Sequence, residues 1–262
     1  MSSNDSDVPA NGPLTLTFDI GGSHLKAGVL STDGQLVKDR VRVVTPDPAE
    51  PEKVVEGLMG LAQQLGHFDR ITIGFPGVVR SDTVLTAPNL GNELWHGFKL
   101  ASVMSEKLGK PVRMLNDASV QGLGVITGHG VGCVVTMGTG MGFALFVDGC
   151  LAPHLELSQH TFKGGKNYDE YVGAREVEKV GPRRFNKRVR KVIEVLETVV
   201  MYDVLYIGGG NARLLEPPLP KNVKTVSNKA GITGGVRAWD RQMDHAFDEK
   251  LPTFDPAMAK RG

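Results

Sequence analysis

Apolar and polar positions alternate at the start of the chain in the way that is typical of β-strands. The alternation covers residues 14–20 and 25–30, and it continues over residues 36–44. An Asp33-Gly34 pair separates the second and third segments, and Asp-Gly between two such segments favours a hairpin turn. The pattern therefore predicts a meander of three strands.

Helices and strands then follow one another up to residue 115. Apolar residues recur every three or four positions between Val54 and Leu65, which is the spacing of a helix with one buried face. Short apolar segments predict further strands over residues 70–75 and 112–115, and a helix over residues 100–108. The first part of the chain is therefore predicted to form one α/β lobe.

The second half of the chain repeats this organisation. The segments DIGGSHLKAGVLSTDG, from Asp19, and TMGTGMGFALFVDG, from Thr136, each consist of a strand, a glycine-rich loop, a strand and an Asp-Gly turn. Two unrelated hairpins would also match this pattern. The shared order nevertheless favours two related lobes, each of which presents a loop to one cleft.

Residues 118–147 carry no charged side chain and are long enough to cross a bilayer. Their many glycines and polar residues make a poor membrane span, so the segment is predicted to contain a strand, a turn and a strand. Later elements are predicted as a helix over 183–200, a strand over 203–207 and a last helix that Asn228 caps and that runs through Ile232, Val236 and Trp239.

These elements divide the chain into a small lobe, residues 14–115, and a large lobe, residues 116–243. The last helix is expected to pack back on the small lobe. Residues 1–13 are predicted to be a disordered leader without the features of a secretion signal, and residues 244–262 a tail.

Composition and charge narrow the choice of function. A net charge of 30 − 29 = +1 gives no overall attraction to nucleic acid or to anionic membranes. The two cysteines, Cys133 and Cys150, are too few for a disulfide framework or a zinc ribbon, and their apolar surroundings favour reduced thiols in a cytoplasmic protein. The 33 glycines are about twice the usual share, which indicates tight turns around a ligand.

Two common phosphate-binding motifs are absent. Neither Gly109-Lys110 nor Gly165-Lys166 is followed by Ser or Thr, and no G-x-G-x-x-G follows a strand. Three strands do end in glycine-rich loops, and backbone NH groups in such loops can surround phosphate oxygens. With Asp19 and Lys26 beside the first loop, the three together favour a cleft for a nucleotide or polyphosphate. The loops are Gly21-Gly22-Ser23, Gly138-Thr139-Gly140 and Gly208-Gly209-Gly210.

Asn116 and Asp117 follow a predicted strand and are the strongest catalytic candidates. A carboxylate at this point can accept a hydroxyl proton while the neighbouring amide orients the alcohol. The alternative is a helix N-cap for the segment that begins at Ala118.

Several segments together resemble the ROK sugar kinases, within the actin-like, hexokinase-like ATPase superfamily. In chain order they are DIGGSHLKAG, GFPGVV, APNLGNELW, LNDA, TMGTGMGFALFVDG, HLEL, YIGGGNA and NKAGITGG. The resemblance covers roughly Leu14 to Ala238 and is closest to the short polyphosphate glucokinase branch. That branch, like this chain, lacks the cysteine-rich zinc motif of most ROK proteins. The resemblance implies an α/β fold of two ribonuclease H-like lobes, with no structural zinc.

The same resemblance implies roles for individual residues. Asp117 would be the general base on the sugar hydroxyl, and Asn89, Asn116 and Glu156 would contact the sugar. Asp19 would help to place Mg²⁺ through water. The transferring phosphates would lie against Gly21, Gly22, Ser23, Lys26, Gly138, Thr139 and Gly140, with Gly209 and Gly210 at the strand exit that family members use beside an adenosine.

One motif departs from the family pattern. The family reads Glu-x-Gly-His-x-Glu, whereas this chain reads ELSQHT from Glu156. Glu156 matches, and His160 is a sugar ligand if the loop has absorbed one residue. Gln159 is the competing match. This change leaves open a different sugar preference or a loss of catalysis.

A cluster of cations lies on the polar side of the predicted helix over 183–200. A solvated helix face is the simpler interpretation. If the helix borders the cleft, the same cations would follow a polyphosphate chain. The cluster consists of Arg183, Arg184, Lys187, Arg188, Arg190 and Lys191.

We therefore expect a cytoplasmic, homodimeric hexose kinase that uses Mg²⁺ and transfers a phosphoryl group from polyphosphate or ATP to the terminal hydroxyl of glucose. Two alternatives remain. One is an ATP-dependent kinase for another hexose or an N-acylhexosamine, and the other is a catalytically silent sugar-binding protein. The residues before the first strand are too few for the DNA-binding domain of ROK repressors, so no nucleic-acid or membrane partner is expected.

Overall fold

The computed structural model of the protein describes residues 12–227 and 230–247. Of the predicted leader it includes only residues 12 and 13, and of the predicted tail only residues 244–247. Asn228, the predicted cap of the last helix, lies outside the described residues.

The strands form two five-stranded sheets and two short hairpins. The first sheet contains β1 (Thr15–Ile20), β2 (His24–Leu30), β3 (Val41–Val44), β4 (Arg70–Phe75) and β7 (Val112–Asn116), and the second contains β8 (Val131–Met137), β9 (Met141–Val147), β10 (Cys150–Leu151), β13 (Val204–Gly208) and β14 (Val223–Thr225). The hairpins are β5 (Val79–Arg80) with β6 (Thr83–Val84), and β11 (Thr161–Lys163) with β12 (Lys166–Asn167).

Seven α-helices are described in the same parts of the chain. They are α1 (Pro51–Leu65), α2 (Asn92–Trp95), α3 (Leu100–Leu108), α4 (Asp117–Leu123), α5 (Tyr168–Val172), α6 (Ala174–Val200) and α7 (Ala230–Thr233). Short 3-10 helices cover Leu157–Gln159, Gly210–Leu214, Arg237–Trp239 and Arg241–Phe247.

The two large sheets have the same topology. The first has the order β3-β2-β1-β4-β7 and the second the order β10-β9-β8-β13-β14. In each sheet the first three strands are antiparallel and the last two add in parallel. The α/β class is confirmed, and the equivalent positions of the β1-β2 and β8-β9 hairpins agree with two related lobes.

Helix α4 lies between the two sheets. It contacts β4 and β7 of the first sheet as well as β8 and β9 of the second. Its buried side chains Val120 and Leu123 belong to one apolar cluster with Val134 and Phe146 of the second sheet. The residue that begins this helix is therefore held at the junction of the lobes.

Residues 230–247, here called the C-terminal segment, cross the first sheet. Thr72 Oγ1 of β4 donates a hydrogen bond to the carbonyl oxygen of Gly235 at 2.8 Å and accepts one from Trp239 Nε1 at 2.9 Å. Arg113 of β7 donates to the carbonyl oxygen of Ala238 at 2.7 Å. A Cβ atom on Gly234 would lie 1.8 Å from the carbonyl oxygen of Val120, so only glycine permits this approach to α4.

Three predicted elements are corrected by the structure. The strand predicted over 36–44 is reduced to β3 and a single bridge between Leu30 and Leu36, because residues 35–40 are exposed and have no core to face. The segment after residue 117 begins with α4 rather than a strand. The single last helix is interrupted at Gly234, where the close approach to α4 replaces helical geometry.

Helix α6 starts nine residues before the predicted helix over 183–200. Gly181 interrupts it with φ +74°, a left-handed conformation that favours glycine, and Pro182 begins the second part. Val189, Val192 and Ile193 in that second part are buried, as their helical spacing predicts.

Candidate active site

A cleft opens where the glycine-rich loops of the two sheets meet. One loop connects β1 to β2, and the other connects β8 to β9. The predicted site residues that line the cleft are Asp19, Gly21, Gly22, Ser23, Lys26, Asn89, Asn116, Asp117, Gly138, Thr139, Gly140, Glu156, Gly209 and Gly210. His160 does not line it. The structure thus brings together residues from both halves of the chain, whose individual roles stay predictions.

The two loops face each other closely. A Cβ atom on Gly22 would lie 3.5 Å from the backbone oxygen of Asn89 and 3.9 Å from Thr139 Oγ1. Thr45 holds the first loop by donating a hydrogen bond to the carbonyl oxygen of Gly21 at 2.6 Å. Bare backbone at the meeting point leaves space for phosphate oxygens beside the two loops.

The third predicted glycine exit joins the second loop. Asn211 Nδ2 donates a hydrogen bond to the carbonyl oxygen of Gly138 at 3.1 Å. Gly209, with φ +86°, lies so close to the backbone of Met137 that a Cβ atom there would be 2.3 Å from its oxygen. This packing brings the end of β13 to the same side of the cleft.

Asp117 and Asn116 have different structural tasks. The Asn116 side chain caps α4 by accepting a hydrogen bond from the Ala118 NH at 2.9 Å, and it donates to the carbonyl oxygen of Gly77 at 3.1 Å. Asp117 Oδ1 also accepts from that NH, at 2.8 Å, while Asp117 Oδ2 has no hydrogen bond within the described residues. The helix therefore already has its cap in Asn116, and Asp117 lines the cleft with one carboxylate oxygen that has no hydrogen bond in the described chain.

The surroundings of Asp117 disfavour its charged form. Burial raises the pKa of this carboxyl to about 7, and the negative charges of Asp19 and Glu156 act in the same direction. A carboxyl with a pKa near the working pH is suited to exchange a proton with a hydroxyl group.

This pKa predicts the pH dependence of any reaction that uses Asp117 as a base. Below pH 7 the carboxyl is protonated, so kcat/KM is expected to fall about tenfold for each pH unit below the pKa. The measurement is kcat/KM for the acceptor from pH 5 to 9, because this ratio reports the free protein. A flat profile between pH 5.5 and 8 would contradict the assignment.

Glu156 is held by two neighbours that the sequence analysis did not identify. Ser158 Oγ donates to one carboxylate oxygen, and His154 Nε2 lies 3.3 Å from the other. Burial would raise the pKa of Glu156, but the hydrogen bonds from His154 and Ser158 outweigh it and lower the pKa. Glu156 therefore keeps its negative charge, and its orientation is fixed from two sides.

The structure separates His160 from the cleft. His160 is exposed, and Gln159 does not line the cleft either, although its side chain donates to Asp169 Oδ2 at 3.2 Å. Asp169 does line the cleft, and its Oδ1 accepts from the Met141 NH at 2.6 Å. The short 3-10 helix at Leu157–Gln159 turns His160 outwards, which spacing alone does not reveal.

His154, Ser158 and Asp169 carried weak sequence signals. Ser158 and His154 each lie two residues from Glu156 along the chain. Their closeness to a predicted site carboxylate was the one signal in the sequence that they could belong to the site. Asp169 begins the charged stretch after β12 and reaches the cleft only through the packing of α5.

The described carboxylates of the cleft do not form a complete metal site of protein ligands. Asp19 lines the cleft, and its Oδ2 accepts a hydrogen bond from Lys26 Nζ at 2.8 Å. Within residues 12–227 and 230–247, no three His, Cys, Asp or Glu side chains group as metal ligands. Mg²⁺ commonly binds one or two carboxylates together with water and substrate phosphates, and Asp19 fits that type of site.

The cluster of cations on α6 does not border the cleft. Arg184, Lys187, Arg188 and Lys191 instead line a separate groove with the β11-β12 hairpin. Arg190 donates to the carbonyl oxygens of Glu216 and Pro218 and so fixes a neighbouring loop. These cations were expected to follow a polyphosphate chain only if their helix bordered the cleft, and the described cations of the cluster do not line it.

Comparisons with known proteins agree with this geometry. The model of the ROK family matches residues 15–153. The polyphosphate glucokinase of Mycobacterium tuberculosis (strain CDC 1551 / Oshkosh) is 33% identical over 240 residues, which cover 84% of this chain and 89% of that protein. The glucokinase of Streptomyces coelicolor is 29% identical over 144 residues, 51% of this chain and 44% of that protein.

Solved structures show the same fold. The inorganic polyphosphate/ATP-glucomannokinase from Arthrobacter sp. strain KM matches with a TM-score of 0.76 and 26% identity, over 86% of this chain and 98% of that chain. A ROK family glucokinase from Streptomyces griseus, in complex with glucose and AMPPNP, matches with a TM-score of 0.67 and 18% identity, over 86% and 98%. The predicted two-lobed fold of the actin-like, hexokinase-like type is confirmed.

Proposed function

The chain belongs to the ROK family, and we propose that it is a hexose kinase that transfers a phosphoryl group from polyphosphate or ATP to the terminal hydroxyl of glucose. The observation that carries the proposal is the position of Asp117. Asp117 lines a cleft that also contains Glu156 and the glycine-rich loops of both sheets, and its Oδ2 has no hydrogen bond within the described residues. A sugar hydroxyl, a base and a donor phosphate would meet at this point.

The proposed transfer is a displacement at the terminal phosphorus atom of the donor. The sugar hydroxyl gives its proton to Asp117 while the hydroxyl oxygen forms a bond to that phosphorus. The bond to the bridging oxygen breaks, and the shortened donor leaves with the electron pair. Glu156 binds other hydroxyl groups of the sugar, and Asn116 supports the base through its hydrogen bond to Gly77.

Mg²⁺ completes the proposed site. When bound, it neutralises negative charge on the donor phosphates. Asp19 would hold the ion through water, and Lys26 keeps that carboxylate oriented by its ion pair. The NH groups of the two glycine-rich loops line the same cleft and would bind the donor phosphates.

A matrix of acceptors and donors tests the proposal. Glucose, mannose and N-acetylmannosamine are each combined with ATP and with long-chain polyphosphate, and sugar phosphate is measured directly. Transfer to glucose with at least one donor is the expected result. Sugar binding without transfer would instead support the catalytically silent sugar-binding protein, and transfer to another sugar alone would support the alternative kinase.

Substitution of Glu156 by glutamine is expected to raise the KM for the sugar about tenfold and to lower kcat less. A carboxylate that bridges sugar hydroxyls binds the ground state and the transition state alike, so its loss affects KM first. The test is steady-state kinetics at saturating donor. His160→Ala is the matched control, because His160 is exposed outside the cleft, and an unchanged sugar KM in Glu156→Gln would remove Glu156 from the sugar site.

We also propose a cytoplasmic homodimer. The family resemblance supports the dimer, and Val199 and Met201 offer exposed apolar side chains at the end of α6. The free thiols of Cys133 and Cys150 are compatible with a reducing compartment. No helix in the described part of the chain is long and apolar enough to cross a membrane. Light scattering after gel filtration tests the dimer.

A further inference from the structure

A second pocket continues from the cleft on the donor side. The two cavities share Ser23, His24, Gly209 and Gly210, so the second begins at the glycine loops that would hold the transferring phosphate. Farther out it is lined by Arg42 of β3, Arg213 of the 3-10 helix after β13, and residues 225–227. A polyphosphate chain longer than the units that the glycine loops hold would extend into this pocket.

The described residues that line this pocket carry positive charge without a negative partner. Within the described chain, neither the Arg42 nor the Arg213 guanidinium has a hydrogen bond or an ion pair. The described residues that line the pocket include no Asp or Glu. Guanidinium groups bind phosphate oxygens with paired hydrogen bonds, and an unpaired one loses no existing partner when it does so.

The family resemblance implies an adenosine beside Gly209 and Gly210, but the described lining offers few contacts to a nucleoside. Its described residues include no Phe, Tyr or Trp on which an adenine ring would stack, and its apolar members are limited to Ala212 and Val226. A mostly polar pocket with two free guanidinium groups matches a chain of phosphates better than a base and a sugar.

We propose that this pocket binds the trailing phosphates of a polyphosphate donor, and that Arg42 and Arg213 are its contacts. The inference rests on the proposed function and adds to it the residues that select the donor. The groove on α6 is a weaker candidate, because it shares no lining residue with the cleft. Two of its cations are already paired, Arg188 with Glu176 at 2.8 Å and Lys191 with Glu194 at 2.9 Å.

The test compares Arg42→Ala, Arg213→Ala and the double variant with the wild type. For each arginine, the ratio of kcat/KM with long-chain polyphosphate to kcat/KM with ATP is expected to fall about tenfold, since charge-assisted contacts to the trailing phosphates are lost. The dependence of the polyphosphate KM on salt is expected to flatten as well. Both arginines are exposed, so the variants should fold.

The matched control removes two exposed cations of the other groove, in the double variant Arg184→Ala, Lys187→Ala, and should leave the ratio unchanged. An unchanged ratio in the Arg42 and Arg213 variants, or an equal fall in the control, would overturn the proposal. Calorimetric titration with long-chain polyphosphate provides a measurement without transfer. If the wild type binds it, the variants bind about tenfold more weakly and no donor supports transfer, the proposed function fails while this inference stands.

Discussion

Replacement of Asp117 by alanine is expected to lower kcat by about 10²- to 10⁴-fold, which is the usual contribution of a general base. The effect is large because no other carboxylate can take its position at the start of α4, between the two sheets. Sugar affinity should change little, since Glu156 and its partners His154 and Ser158 remain. The measurements are kcat with the active donor and the Kd of the sugar. Wild-type turnover would mean that Asp117 is only a helix residue.

Stability provides the control for this variant. The folded protein keeps the Asp117 proton up to about pH 7, whereas the unfolded chain releases it near the ordinary pKa of 3.8. The wild type therefore loses stability as the pH rises from about 4 to 7, because a buried carboxylate must form. Asp117→Ala lacks this loss, so an inactive variant that melts no earlier than the wild type at pH 8 has lost chemistry rather than structure.

Replacement of Gly234 by alanine is expected to lower the free energy of unfolding by about 3 kcal/mol, at the upper end of the usual overpacking cost. The new Cβ atom would lie 1.8 Å from the carbonyl oxygen of Val120, so backbone rather than a flexible side chain must move. The movement separates α7 from α4. Urea unfolding followed by circular dichroism measures the loss.

Gly60 in the middle of α1 is the matched control. A Cβ atom on Gly60 would meet nothing within 4 Å, and the residue has ordinary helical geometry. Gly60→Ala is therefore expected to raise the free energy of unfolding by about 0.5–1 kcal/mol, through the restricted unfolded chain. Equal stability of Gly234→Ala and the wild type would show that the C-terminal segment can shift without cost.

Local patterns predicted the elements that are bounded by clear signals. Strand β4 and helix α3 have the predicted bounds, because β-branched residues fill the strand and Gly109, with φ +62°, ends the helix. The glycine-rich loops were visible because each lies between two strands. Long-range packing was not visible, and the close approach of Gly234 to α4 accounts for the end of α7 at Thr233.

The candidate site likewise contains residues that local motifs revealed and residues that only long-range packing brings to the cleft. Asp117 and Glu156 were found by motif, since each lies in a segment with recognisable order. Asp169 reaches the cleft through a hydrogen bond to Met141, 28 residues away, and no spacing rule predicts that contact. The position of His160 depended on how one loop turns, and the 3-10 helix before it decided the outcome.

The C-terminal segment also affects when the small lobe can finish its packing during synthesis. Thr72 and Arg113 belong to the first half of the chain, yet their partners Gly235 and Ala238 are among the last described residues to leave the ribosome. Domains usually fold as units from the N-terminus. Here the small lobe cannot complete its packing around Thr72 and Arg113 until residues 235–238 have been synthesised, which is after every described strand of both sheets.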